Sequence, residues 1–128
     1  MMNNIILSWG MVITYVVLNS FGALIIKEKI NRIGAADFST FAGFCKYFLT
    51  VFTSPIIIFS FVLIFVSAVA WIAALSRMDI TIAYPVATSL NFLIVIFVAI
   101  LILGEPLTLI KGIGITLMLI SIFLMTKA

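Results

Sequence analysis

This sequence predicts an all-α membrane protein: four transmembrane helices, with an amphipathic interfacial helix between the first and second. Three observations predict it. Of 128 residues, 66% are hydrophobic and 9% are charged, where a soluble domain normally carries about 25% charged residues. The apolar residues number about 84, and a transmembrane helix uses roughly 20, so four spans absorb nearly all of them. The few charges divide the chain into three charge-free runs and a fourth that holds only Lys111, and the remaining stretch repeats its phenylalanines at helical spacing.

The first span runs from Ile5 to Ile26 and is closed by Lys27, Glu28, Lys29 and Arg32. The preceding Met1-Met2-Asn3-Asn4 lacks the positive charge of a signal peptide, so this segment reads as a retained helix. Residues 38–53 come next. Phe38, Phe41, Cys45, Phe48 and Phe52 recur at steps of 3, 4, 3 and 4 and share one helical face. Ser39, Thr40, Lys46, Tyr47 and Thr50 take the other face. Such a helix lies in the membrane interface with its rings toward the acyl chains. The alternative is an early, bent start of the second span.

The second span, Ile56 to Leu75, opens at Ser54-Pro55 and is closed by Arg77 and Asp79. The third, Ile80 to Leu103, stops at Gly104-Glu105-Pro106, and the fourth, Leu107 to Met125, ends at Lys127. Each is long enough to cross the hydrocarbon core. The whole chain, 1–128, reads as a single domain. Lys27, Lys29, Arg32, Lys46 and Lys111 fall on one side of the membrane, and Arg77 and Lys127 on the other. The positive-inside rule then puts both termini outside and the first loop in the cytoplasm.

Several functions are excluded early. Cys45 is alone and histidine is absent, so the chain has no internal disulfide and no metal-ligand cluster. The net charge of +3 is scattered rather than gathered into a basic patch, which argues against nucleic-acid binding. No Ser/His/Asp or Cys/His set and no glycine-rich phosphate loop is present, so neither catalysis nor a cofactor is expected.

Polar groups are costly in hydrocarbon, which makes their positions informative. Ser8, Tyr15, Asn19 and Gly22 form a stripe on the first helix; Ser60, Ser67 and Trp71 form one on the second; Thr81, Tyr84, Thr88 and Asn91 form one on the third. The stripes suggest faces converging on a shared interior, or hydrogen bonds that join helices at about 0.6–2 kcal/mol each. Pro85 frees a backbone carbonyl early in the third helix, which Tyr84 and Thr88 are expected to face. All four acids, Glu28, Asp37, Asp79 and Glu105, lie at span edges or in loops. A proton-driven exporter needs an ionisable group at membrane depth, and these spans hold no carboxylate or histidine. Glu105-Pro106 reads as the first turn of the fourth helix.

The run Ile82-Ala83-Tyr84-Pro85, then Leu90-Asn91-Phe92, then Gly104-Glu105-Pro106-Leu107-Thr108 resembles the second half of a small drug/metabolite transporter superfamily protein. Asn19, Gly22 and Lys27 match a spacing at the end of the first helix in the small multidrug resistance proteins of that superfamily. The resemblance covers nearly all of the chain outside residues 38–53. Two departures qualify it. The position matching Asn19 is a glutamate in the small multidrug exporters, and the tryptophan that follows their conserved tyrosine is replaced by Ala87.

The tyrosine-proline pair and Leu-Asn-Phe are more similar to EamA-type half transporters and to the subunits that flip undecaprenyl-phosphate-linked aminoarabinose across the bacterial inner membrane. The resemblance therefore implies translocation of a polyprenyl-phosphate-linked sugar or a similar polar-headed lipid in that membrane. Asn19, Tyr15, Trp71, Tyr84, Thr88 and Asn91 are the candidate substrate-lining residues. Lys46, Arg77 and Lys111 are candidates to meet a phosphate at the interface, or ordinary topology charges.

Four helices lack the inverted repeat common in transporters, so a second copy or a paralogous four-helix subunit is the expected partner. Gly114, Leu117 and Ser121, with Gly112 nearby, offer a close-approach surface on the fourth helix. Two other functions remain open: a small-molecule, multidrug or polyamine exporter, and a non-transporting accessory protein of a membrane glycosyltransferase.

Overall fold

A computed structural model describes residues 2–127. They form five helices: α1 (Met2–Ile33), α2 (Phe41–Phe52), α3 (Pro55–Leu75), α4 (Ile80–Leu101) and α5 (Leu109–Lys127). No strand occurs among the described residues. α1, α3, α4 and α5 are long and apolar enough to cross a membrane, and the short α2 stands between the first two of them. The chain is a multi-pass membrane protein by this architecture.

α1 extends 32 residues, well beyond the apolar run that ends at Ile26. Lys27, Glu28 and Lys29 are good helix formers once clear of hydrocarbon, and Arg32 reaches back one turn to Glu28 at 2.6 Å. The helix stops at Gly34, whose φ of 100° is open to glycine and whose N–H donates to the Ile30 carbonyl at 2.9 Å. In the linker that follows, the Ser39 hydroxyl and amide both donate to Asp37, holding its carboxyl below the usual aspartate range. Thr40 then caps α2 by accepting from the Gly43 N–H at 3.1 Å.

α2 carries a ladder of rings. Phe44 stands 5.6 Å from Phe38 and 4.6 Å from Phe48, and Phe48 stands 5.9 Å from Phe52. The ladder continues to Phe61 of α3 at 5.6 Å, so the apolar face of α2 joins the lipid-facing side of a spanning helix. The Tyr47 hydroxyl donates to the Gly34 carbonyl at 3.0 Å and ties α2 to the end of α1. This is an interfacial helix of its own. It is separated from α3 by the turn at Thr53-Ser54, with Pro55 at the first position of α3.

α1 packs chiefly on α3 and secondarily on α4. The buried residues of α1 include Ser8, Val12, Val16, Ser20 and Leu24, a row at steps of four, which is the ridge that helices seat into a neighbour's groove. Against it lie Ile57, Ser60, Ser67, Ala70 and Ala74 of α3. The Ser60 and Ser67 hydroxyls donate to the Ile56 and Ile64 carbonyls of their own helix. They act as small packing residues rather than as groups open to a substrate.

Two local expectations are corrected. Thr88 donates to the Tyr84 carbonyl, not to the Thr81 carbonyl that Pro85 leaves without its helical donor. The hydroxyl bonds one turn back along its own helix, and that turn ends at Tyr84. Glu105-Pro106 is not the first turn of the last helix. Gly104 adopts a φ of 69°, and the Glu105 N–H folds back onto the Ala99 carbonyl at 3.0 Å, prolonging the end of α4. α5 starts only at Leu109, where the Thr108 hydroxyl accepts from the Lys111 N–H at 3.2 Å.

Candidate substrate seam

The helices bring α1 and the α4 segment together at three heights. At one end, Arg77 in the α3–α4 turn donates to Asn4 Oδ1 at 3.0 Å. Midway, the Ser20 hydroxyl donates to Asn91 Oδ1 at 2.5 Å. At the other end, Lys27 Nζ lies 3.9 Å from Glu105 in the α4–α5 connection. The first and last contacts are exposed pairs of small energetic value. The middle one lies between helices at membrane depth, where such bonds contribute about 0.6–1.7 kcal/mol.

Between the Arg77 end and the Ser20–Asn91 bond sits an aromatic cluster. The Tyr15 and Trp71 rings are 4.8 Å apart, and Trp71 and Tyr84 are 6.2 Å apart. Val12, Val16, Ala74 and Ala87 form the buried floor beneath Tyr15 and Trp71. The small Ala87 side chain lets α4 approach α1, while Tyr84 is largely exposed on the outer side of the cluster.

The structure thus brings four of the six expected lining residues, Tyr15, Trp71, Tyr84 and Asn91, onto one seam. Thr88 is exposed, with its hydroxyl bonded within α4. Asn19 is half-buried beside Ser20, and Ser20 is the residue that faces Asn91. Sequence reasoning missed Ser20. Its signal is the buried four-step row from Ser8 to Leu24, which competes with the Tyr15–Asn19 stripe and decides the rotation of α1.

The expected phosphate contacts lie apart. Lys46 is exposed on α2 beside a shallow cavity with Asp37, Tyr47 and Thr50. Lys111 Nζ donates to the Pro106 carbonyl at 3.0 Å, and Arg77 occupies the opposite end of the bundle. On α5, Gly114, Leu117 and Ser121 are exposed, and a Cβ added at Gly112 or Gly114 would meet open space. α5 packs chiefly on α4 and buries none of its residues.

Chemically, the seam presents amide, hydroxyl, phenol and indole groups. It can donate and accept hydrogen bonds and offer ring faces. The acids lie at its end or beyond it: Glu105 at the Lys27 contact, Glu28 on the projecting end of α1, and Asp37 and Asp79 in connections. No group of three metal-binding side chains occurs among the described residues. No family model, curated protein or solved structure matches the chain.

Proposed function

We propose that this protein is a transporter subunit that moves a polyprenyl-phosphate-linked sugar, or a lipid with a similar polar head group, across the bacterial inner membrane. The observation that carries this reading is the neutral seam: Ser20–Asn91 at mid-depth, with Tyr15, Trp71 and Tyr84 beside it. A sugar needs hydrogen bonds and ring faces to replace its water, and its polyprenyl tail stays in the bilayer throughout. A fixed charge is not needed and would be costly at that depth. The sequence resemblance to the aminoarabinose-lipid flippase subunits points the same way. An exporter of lipophilic cations would need a membrane carboxylate, and the acids sit at the edges of this bundle.

The unit of function in this reading is a dimer, either with a second copy or with a paralogous four-helix subunit. α5 supplies the contact, since it buries nothing within its own chain and its glycines face open space. Small residues at such positions let helix backbones approach closely.

The test is reconstitution in vesicles loaded with a fluorescent polyprenyl-phosphate sugar, following its exposure on each leaflet. The chain, alone or with its sister subunit, is expected to exchange the lipid. Asn91→Leu and Trp71→Ala are each expected to slow exchange at least tenfold while the helical content holds. Exchange no faster than in empty vesicles would reject the reading. Wild-type rates in the Asn91→Leu variant would remove the seam from the pathway.

A further inference from the structure

The five cations expected at one end of the bundle are not equivalent in space. Lys27 faces Glu105, Lys111 bonds to the Pro106 carbonyl, and Lys46 lies on α2. The remaining two, Lys29 and Arg32, are three residues apart on the part of α1 that projects past its apolar run. They line a cavity of about 300 Å³ between that projection and the start of α3. Ile25 and Ile56 line the same cavity on its hydrocarbon side, and Glu28 and Ser54 complete its polar wall.

We propose that this cavity binds the phosphate of a lipid. Its two halves suit the two halves of such a molecule. Ile25 and Ile56 lie at the ends of apolar runs, where an alkyl chain rises from the bilayer. Lys29, half-buried and without a carboxylate within 4 Å among the described residues, supplies a point charge. Arg32 supplies a planar fork of donors suited to phosphate oxygens. The Ser54 side chain makes no cap bond to α3, which leaves its hydroxyl for a ligand oxygen.

Glu28 holds Arg32 at 2.6 Å and so opposes the anion. A ligand phosphate competes with that carboxylate for the guanidinium, and removing the carboxylate strengthens binding. The phosphate has two possible sources, a polyprenyl phosphate or a bulk anionic phospholipid. Only the first depends on the transport function proposed above.

Native mass spectrometry of the intact protein from micelles tests the site, with undecaprenyl monophosphate and phosphatidylglycerol as separate probes. Wild-type protein is expected to retain one phosphate lipid per chain. Lys29→Gln with Arg32→Gln is expected to lower retention at least tenfold, and Lys29→Arg to preserve it. Glu28→Gln is expected to raise retention severalfold. Circular dichroism confirms that each variant remains helical.

Retention of undecaprenyl monophosphate well above phosphatidylglycerol supports a substrate phosphate site. Equal retention of both, with the same dependence on Lys29 and Arg32, supports the site as one for bulk phospholipid. Retention unchanged by the double substitution would overturn the proposal, as would an equal loss in Lys46→Gln or Lys111→Gln. Binding is measured without transport, so intact binding with no lipid exchange counts against the transport function alone.

Discussion

Gly22 packs closely against α3. A methyl group there would lie 2.7 Å from Ile64 Cγ1 and 3.1 Å from the Ser60 carbonyl oxygen. The side chain can yield, but the carbonyl belongs to a helix backbone and cannot. Overpacking of this kind costs about 1–3 kcal/mol, more than the roughly 0.5–1 kcal/mol that alanine gains over glycine in a helix. Gly22→Ala is therefore expected to lower stability. Gly10→Ala, where the added carbon meets nothing within 4 Å, is expected to raise it slightly. Unfolding by dodecyl sulfate in mixed micelles reads both signs, and a stabilised Gly22→Ala would show that the α1–α3 contact is looser than described. Asn91 raises a different question at the same scale. Its polarity at mid-depth is evident from the residue alone, but its partner is not. Asn19 and Ser20 are adjacent in the chain and about 100° apart around the helix, and only packing against α3 and α4 selects between them.

The helices themselves were largely legible because charges and prolines interrupt hydrocarbon-length runs. Arg77, Asp79 and the Gly104-Glu105-Pro106 group mark the ends of α3 and α4 almost where the backbone turns. Legibility failed where the solvent changes but the helix does not. Lys27 to Arg32 leave the bilayer and remain helical, because hydropathy reports the medium and not the hydrogen bonding. It failed again at Phe44, whose ring reaches Phe38 and Phe48 although the 3, 4, 3, 4 spacing gave that place to Cys45. α5 is the element least supported by its own chain, so the dimer proposed above makes a sharp demand on it. In a Cys45→Ser background, Leu117→Cys is expected to form an intermolecular disulfide on mild oxidation in membranes. Val12→Cys, buried at 0% exposure in the bundle, is expected to form none. A Leu117→Cys protein that stays monomeric under oxidation would separate α5 from the subunit contact.

Across the whole molecule, charge divides by end. Lys27, Lys29, Arg32, Lys46 and Lys111 gather where α1 finishes and α5 begins, and Arg77 and Lys127 lie at the far end. The Lys27–Glu105 contact puts the end of α1 beside the α4–α5 connection, and the Arg77–Asn4 contact puts the α3–α4 turn beside the start of α1. The positive-inside rule then predicts a cytoplasmic α1–α2 linker. With Cys45→Ser as background, an impermeant maleimide added to intact cells is expected to label Ser76→Cys and to spare Ser39→Cys; the opposite pattern would invert the topology. The length of α1 has a mechanical corollary. Its 32 residues span about 48 Å against a hydrocarbon core of about 30 Å. Gly22, which packs closely against Ile64 and Ser60, lies nearer the charged end of α1 than the Asn4 end, so a rotation of α1 about that contact would have unequal arms. A rocking of about 10° would swing Arg32 by about 2.6 Å one way and Asn4 by about 4.7 Å the other, from a rise of 1.5 Å per residue. That stroke is enough to break the Asn4–Arg77 bond while it displaces the charged rim at the opposite face of the membrane.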